Sequence, residues 1–185
     1  MEIISLGGVG GCILAESLRD MNMVTYPFDW LITTQSFVID SIENSDNFFI
    51  FEKEYVYNES YLLAEKKNAI MLHDFNDFVS EKENVIAKYD RRMNRLKEVF
   101  RSKKDVLFVR LMDNLSVPLS PLNFYDDVFV RETESISKWK EFMKSKRGRL
   151  LLITTEDIDE EEGLIIRKCE SFTKESISYF IKEIV

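Results

Sequence analysis

The chain has 185 residues, with 25 Lys and Arg against 33 Asp and Glu, and it contains two cysteines and one histidine. A net charge of −8 provides no basic field to displace counterions from phosphates, which argues against non-specific nucleic-acid binding. No apolar stretch approaches the roughly 20 residues that a membrane span needs, and the N-terminus lacks the basic region and cleavage site of a signal peptide. We therefore expect a cytoplasmic protein that binds neither nucleic acid nor a membrane.

Cys12, Cys169 and His73 are far apart along the chain, and the sequence contains no CxxC, HxH or HExxH motif. Zinc fingers and zincins need such ligands at close spacing. Both classes are therefore excluded, and we expect no metal and no other cofactor. A serine triad or a cysteine–histidine pair is compatible with the composition, and its base would be His73.

The N-terminal segment predicts a strand, a glycine turn and a helix. The apolar, β-branched run from Glu2 to Leu6 is typical of a strand, and Cys12 opens a segment whose apolar residues recur at helical spacing. Between them lies the turn Gly7-Gly8-Val9-Gly10-Gly11. The next apolar run, Met23 to Ile32, predicts an extended segment that leads into a short helix at Ser36 to Ile42.

Two β segments and a long helix are predicted in the middle of the chain. Aromatic and charged residues alternate over Phe48 to Tyr57, which predicts a half-buried strand added antiparallel to the main sheet. Ala69 to Leu72 predicts a short strand that ends at His73. From Phe78 to Phe100 the spacing is helical, and Arg92 lies about 60° from the centre of the apolar stripe. Arg92 is therefore a candidate for a partly buried, paired arginine.

The rest of the chain continues this alternation of strands and amphipathic helices. Apolar runs predict strands at Val106 to Met112, Leu150 to Ile153 and Leu164 to Ile166, and helical patterns lie at 135–146 and after Thr173, the expected cap of the last helix. The sequence thus predicts one α/β domain over residues 1–185, with a mainly parallel sheet flanked by helices and an antiparallel strand addition.

The glycine turn allows two functional interpretations and a structural one. It resembles a phosphate-binding turn, but a GxGxxG register from Gly8 puts Ile13 at the last glycine, and no GxxxxGK motif is present. Alternatively, the turn presents Cys12 at a helix start, where the helix dipole lowers the thiol pKa and the N–H groups of Gly10 and Gly11 form an oxyanion hole. In the structural interpretation Cys12 is a small buried hydrophobe.

Three candidate catalytic side chains follow predicted strands. Cys12 follows the first strand, His73 follows Ala69 to Leu72, and Asp113 follows Val106 to Met112. In an open parallel sheet, functional groups gather at the carboxyl ends of the strands. We therefore expect these side chains at one edge of the sheet, although His73 is also compatible with a strand-end histidine held by a nearby carboxylate.

Six segments carry a more specific pattern: Ile4-Ser5-Leu6-Gly7 leading to Cys12, Leu18-Arg19, Tyr26-Pro27-Phe28-Asp29-Trp30, His73-Asp74-Phe75, Tyr89 through Arg92 with Arg95, and Val106 to Arg110. In this order they resemble the motifs of a domain family of unknown function described as papain-like cysteine peptidases, with members in bacteria and in some large DNA viruses. The resemblance implies that Cys12 is a nucleophile and His73 its base. It also implies that Asp29 orients His73 or holds a structural hydrogen bond.

We therefore expect a cysteine hydrolase of peptidase, isopeptidase or amidase type that acts on a protein or peptide in the cytoplasm, or in the host cytoplasm if the chain is viral. Asp29 or Asp113 would orient His73, and Arg92 would form a structural ion pair with Asp74, with Asp29 or with another carboxylate. Two alternatives stay open. One is an inactive interaction module or host antagonist whose lengthened glycine turn displaces the thiol, and the other is a phosphate- or nucleotide-binding protein that uses Gly7 to Gly11. The sequence does not indicate an oligomeric state.

Overall fold

A computed structural model describes residues 1–8, 10–44, 55–58, 61–64, 68–112, 129–159 and 161–185, with residues 55–58 described by their backbone. The described strands are β1 (Glu2–Gly8), β2 (Leu31–Thr33), β3 (Tyr55–Asn58), β4 (Tyr61–Ala64), β5 (Ala69–Met71), β6 (Val106–Leu111), β7 (Arg149–Thr154) and β8 (Ile165–Lys168). The described helices are α1 (Gly11–Asp20), α2 (Gln35–Glu43), α3 (Phe78–Arg101), α4 (Ile136–Lys144) and α5 (Lys174–Ile184).

The main sheet is parallel, with the strand order β1-β6-β7-β8. Successive residues of a strand point to opposite faces, so that Leu151 and Ile153 of β7 pack on one side while Leu150 and Leu152 pack on the other. Helices α1 and α5 cover the first face, and α2, α3 and α4 cover the second. This confirms the predicted α/β fold, in which a parallel sheet buried on both faces is flanked by helices.

The second sheet is antiparallel and has the strand order β2-β5-β4-β3. It is larger than the single antiparallel strand that we predicted. Of the predicted strand Phe48 to Tyr57, residues 48–54 lie outside the described part of the chain, and β3 covers the remainder. Strand β5, predicted at Ala69 to Leu72, belongs to this sheet and not to the parallel one. The reason is the short connection from β4 to β5, because a parallel pair needs a longer crossover.

Side-chain caps mark where most of the described helices begin. Thr34, Asp77, Ser135 and Thr173 each accept a hydrogen bond from a backbone N–H in the first turn of their helix. The expected cap at Thr173 is confirmed, and it is part of a reciprocal capping box with Ser176. Helix α1 differs, because it begins after Gly10 without a side-chain cap. None of the described helices is both long and apolar enough to cross a membrane.

A buried ion pair joins the two sheets. Arg110 of β6 and Glu134 have fully buried side chains whose charged atoms lie 2.6 Å apart. The Arg110 guanidinium also donates to the Leu6 carbonyl of β1 and to the hydroxyl and carbonyl of Thr33 in β2, each at 2.8 Å. The indole N–H of Trp139 donates to the second carboxylate oxygen of Glu134 at 2.8 Å. This network connects β1, β6, β2 and α4 at the junction of the sheets.

Candidate functional site

Cys12 is the second residue of α1 and lies next to the beginning of β2. Gly11 makes this arrangement possible, since a Cβ atom at that position would lie 2.0 Å from the carbonyl oxygen of Leu31. A residue with any side chain would therefore force α1 away from β2. The sequence correctly predicts the strand, the turn and the helix start, but the contact with β2 is visible only in the structure.

Strand β1 extends further into the glycine turn than we predicted, to Gly8 instead of Leu6. Gly8 has φ 124°, a backbone conformation that favours glycine, and a Cβ atom there would lie 1.9 Å from the carbonyl oxygen of Leu111. At Gly10, a Cβ atom would lie 2.7 Å from the Leu111 side chain. Close packing on β6 and β2 thus accounts for Gly8, Gly10 and Gly11. The glycine-rich sequence needs no phosphate to explain it.

The turn before β2 contains a buried carboxylate, Asp29, which is 3% exposed. Its Oδ2 accepts the backbone N–H of Tyr26 at 2.6 Å, whereas its Oδ1 has no hydrogen-bond partner among the described residues. Burial raises the pKa of Asp29 to about 6, although the Tyr26 N–H and the charge of Arg92 act in the opposite direction. The next residue, Trp30, has φ 68°, in the left-handed region that few residues other than glycine adopt.

His73 lies beside Trp30 because of the register between β2 and β5. Leu31 pairs with Met71, which carries the chain from β5 past Trp30 and brings His73 to the same end of the sheet. The two rings are in edge contact, with centroids 5.9 Å apart and an interplanar angle of 76°. The Arg19 guanidinium of α1 lies 5.4 Å from the centroid of the Trp30 ring. Trp30 therefore contacts both His73 and the helix that carries Cys12.

Asp74 anchors the segment that carries His73 to helix α3. Arg92 donates to its two carboxylate oxygens at 2.7 and 3.3 Å, the hydroxyl of Tyr89 donates at 2.5 Å, and Lys88 lies 3.2 Å away. Burial acts to raise the pKa of Asp74, but these partners outweigh it and lower the pKa. Asp74 is therefore an ionised, occupied carboxylate, and its pair with Arg92 fixes the backbone next to His73.

The electrostatic environment of Cys12 differs from our expectation. Burial, followed by the negative charges of Glu16 and Asp74, raises the pKa of the Cys12 thiol to about 11. The predicted lowering of this pKa is therefore wrong, because desolvation and two carboxylates outweigh the favourable dipole at the start of α1. At neutral pH the thiol is protonated.

The structure brings Cys12, Gly10, Gly11, Asp29 and His73 to the region around Trp30. In the described part of the chain, no hydrogen bond joins the Cys12 thiol to the His73 ring, and the bonded oxygen of Asp29 is held by Tyr26 instead of His73. Asp113, the other candidate for orienting His73, lies outside the described residues. The expectation that His73 follows a strand of the parallel sheet is wrong, because it follows β5 of the second sheet.

Cys169 follows β8, at the opposite edge of the parallel sheet from β1, and lies 3.6 Å from the Thr154 carbonyl. Within the described ranges, no three His, Cys, Asp or Glu side chains are grouped as a metal site requires. Of the two cysteines, Cys12 is thus the one on the helix that contacts Trp30.

The sequence interpretation did not select Glu16, Arg19 or Trp30 as site residues. Glu16 and Arg19 follow Cys12 by four and seven positions, which places all three on one side of a helix. That spacing was the available signal for both charged residues. For Trp30 the signal was weaker, because its contact with His73 depends on the pairing of two three-residue strands.

Comparison with known proteins supports the family suggested by the sequence motifs. A search of curated proteins and a search of solved structures each gave no match. Residues 1–116 match a family model, and these residues include β1 through β6 and every residue described around Trp30. The chain therefore belongs to the family described as "Putative papain-like cysteine peptidase (DUF1796)".

Proposed function

We propose that this protein is a cysteine hydrolase of peptidase, isopeptidase or amidase type, with Cys12 as nucleophile and His73 as general base. The observation that supports the proposal is that Trp30 contacts both the His73 ring and Arg19 of the helix that carries Cys12. Gly11 packs on Leu31, next to Trp30, and the His73 ring contacts the Trp30 ring at 5.9 Å. Membership of the papain-like peptidase family supports the reaction class.

The reaction follows the thiol-hydrolase scheme. His73 takes the thiol proton while the Cys12 sulfur attacks the acyl carbon of the substrate, and the acyl C–N bond breaks as the imidazolium gives its proton to the leaving amine. This step leaves a thioester on Cys12. A water molecule then attacks the thioester carbon, His73 accepts a proton from that water, and the departing Cys12 sulfur recovers a proton from His73. The products are an amine and a carboxylic acid.

The raised pKa of Cys12 determines how His73 has to act. Because burial and two carboxylates hold that pKa at about 11, the resting thiol is neutral, and it makes no hydrogen bond to the His73 ring in the described structure. We therefore propose that proton transfer accompanies attack on a bound substrate, instead of preceding it as in a preformed thiolate–imidazolium pair. Because Asp74 fixes the backbone beside His73, rotation of the His73 side chain would bring the ring towards Cys12 when substrate binds.

The remaining roles follow from position. The backbone N–H groups at the start of α1 have no partner within the helix, so Gly10 and Gly11 are our candidates for stabilising the oxyanion. Asp29 is the proposed orienting residue, through the turn that carries Trp30, and Asp113 is the alternative. We propose protein or peptide substrates in the cytoplasm, because a net charge of −8 disfavours nucleic acid as a partner.

Acylation of Cys12 tests the proposal. The purified chain is mixed with p-nitrophenyl esters of N-acetylated amino acids, nitrophenol release is followed in the first turnover, and the acylated residue is identified by mass spectrometry. We expect acylation at Cys12 and a loss of about 100-fold or more in its rate in His73→Ala, since the base contributes that much or more to catalysis. Cys169→Ser is the matched control, and it should acylate like the unmodified chain.

Two outcomes would contradict the proposal. One is an acylation rate that is the same in His73→Ala as in the unmodified chain, because His73 would then have no role as a base. The other is equal labelling of Cys12 and Cys169, which is expected of two ordinary thiols.

A second candidate function is an interaction module that keeps the fold without catalysis. The raised pKa of Cys12 and the lack of a described hydrogen bond to His73 favour it. A chain that is folded, as shown by a cooperative melting transition, but leaves Cys12 unacylated by every donor would support this second function instead of the first.

A further inference from the structure

Arg19, on the helix that carries Cys12, forms a partly exposed cation–aromatic pair with Trp30. The Arg19 guanidinium lies 5.4 Å from the Trp30 ring centroid, and Trp30 contacts His73. Arg19 follows Cys12 by seven positions, so both lie on one side of α1. Long side chains on a helix lean towards its N-terminus, which directs the Arg19 guanidinium back towards Cys12.

The guanidinium of Arg19 has donors available for a ligand. Its side chain is 64% exposed, and Asp20, its carboxylate neighbour in the described structure, lies 3.9 Å from Nε, which is too far for a hydrogen bond. Asp20 in turn lies 3.2 Å from Lys174. Arg92 and Arg110 contrast with Arg19, because carboxylates and carbonyls of the protein occupy their donors.

The cation–π contact with Trp30 restricts the guanidinium, and no hydrogen bond from its N–H groups to an acceptor is found in the described part of the chain. Those N–H groups can therefore bind a carboxylate through two parallel hydrogen bonds. Trp30 is itself held in place, because it has φ 68° and follows the buried Asp29. Such unusual backbone conformations are concentrated at ligand sites.

The charges around Cys12 are mostly negative and do not attract an anion. Glu16 and Asp74 are the negative groups that act on Cys12, and Lys174 lies 3.2 Å from Glu16. On an acidic chain, these groups repel an anionic substrate from Cys12 in general. An anion preference at Cys12 would therefore have to come from a directed contact with Arg19.

We infer that Arg19 is a specificity-determining residue that binds a carboxylate of the substrate, next to the acyl carbon attacked by Cys12. The inference deepens the proposed function and rests on it. The carboxylate belongs either to an acidic side chain or to a chain terminus, and both present the same chemistry to the guanidinium.

The first experiment uses two small alkylating agents, so that it does not depend on hydrolysis. Iodoacetate and iodoacetamide both form an S–C bond to Cys12 with loss of iodide, and they differ in carrying a carboxylate or a neutral amide. The ratio of the two rates at Cys12 is measured in a Cys169→Ser background. We expect Arg19→Gln to lower the iodoacetate-to-iodoacetamide ratio about tenfold, and Arg19→Glu to lower it further.

Lys174→Gln is the matched control. It removes one positive charge that lies 3.2 Å from Glu16 and from Asp20, two carboxylates of the helix that carries Cys12 and Arg19. We expect this change to alter the ratio much less than Arg19→Gln does. Equal effects of the two variants would show that only the general electrostatic field of the protein changes the ratio. No effect of Arg19→Gln would show that Arg19 does not bind the carboxylate. Either result would overturn the inference.

The second experiment separates this inference from the proposed function. The chain is given the mono-p-nitrophenyl ester of terephthalate, which is anionic, and its methyl ester, which is neutral; the ring keeps the carboxylate from attacking its own ester group. We expect a lower KM for the anionic donor, and a KM difference that disappears in Arg19→Gln. Acylation without any charge preference would overturn the inference and leave the hydrolase intact. No acylation of Cys12 would overturn the hydrolase, while the alkylation ratio would still report on Arg19. Peptide donors whose carboxylate belongs either to a glutamate side chain or to the chain terminus are then compared. The donor with the lower KM identifies which of the two carboxylates Arg19 binds.

Discussion

The chemistry of Cys12 is set by its neighbours more than by its place at the start of α1. A thiol in the first turn of a helix is stabilised as the thiolate by the aligned backbone N–H groups. Here, burial and the charges of Glu16 and Asp74 act in the opposite direction and raise the pKa of Cys12 to about 11. Asp74 is itself bound by Arg92, which leaves Glu16 as the carboxylate that is easiest to change.

We predict that Glu16→Gln accelerates alkylation of Cys12 by iodoacetamide at pH 7 to 8. Removal of a negative charge lowers the pKa of the thiol, and the thiolate is the reactive form. The gain is about two- to fivefold, because the nucleophilicity of a thiolate falls together with its pKa. The rate in both proteins should rise with pH, and it should level off at lower pH in Glu16→Gln than in the unmodified chain.

Asp20→Asn is the control for this experiment. Asp20 lies one turn further along α1 and is also 3.2 Å from Lys174, but it is not among the charges that act on Cys12. Its replacement should leave the pH profile unchanged. An identical profile in Glu16→Gln would show that desolvation alone holds the proton on Cys12.

At the scale of elements, the candidate site is formed where α1 meets the second sheet. The sequence predicts the strand, glycine turn and helix around Cys12, because each has a clear pattern of apolar residues and glycines. It does not predict the contact of Gly11 with Leu31, since that contact joins two segments that are separate in sequence. The glycines at positions 8, 10 and 11 are explained by this packing and by β6.

The second sheet was the main element that the sequence did not predict. The sequence predicts β5, but its partners β2 and β4 have only three and four residues, too few for a period of two to indicate antiparallel pairing. The pattern therefore places His73 at the edge of the parallel sheet. In the structure it reaches the region of Cys12 from the other sheet, through the pairing of Leu31 with Met71.

Across the whole molecule, the ion pair of Arg110 and Glu134 holds the two sheets together. The sequence shows only a charged residue within the apolar run Val106 to Met112. The partners of Arg110 lie 104 positions away at Leu6, 77 at Thr33 and 24 at Glu134, a distribution that no local pattern contains. Only the folded structure shows that Arg110 connects the two sheets.

We predict that Arg110→Met lowers the free energy of unfolding by about 3–5 kcal/mol, because it leaves the buried carboxylate of Glu134 without its partner. Glu134→Gln should also destabilise the chain, but the double variant should lose less than the sum of the two single changes. Urea unfolding followed by tryptophan fluorescence and by circular dichroism measures both quantities. We expect the two probes to give one midpoint, as for a single domain. Additive losses would show that the pair does not act as a unit.

The separation between the Cys12 sulfur and the His73 ring in a trapped complex tests the proposed mechanism most directly. A crystal structure is determined after Cys12 has reacted with a peptidyl chloromethyl ketone, which occupies the site as a substrate would. We predict a ring nitrogen of His73 within about 3.2 Å of the sulfur, or joined to it through one water molecule. A His73 ring that stays against Trp30, out of reach of a fully modified Cys12, would contradict the nucleophile–base pair.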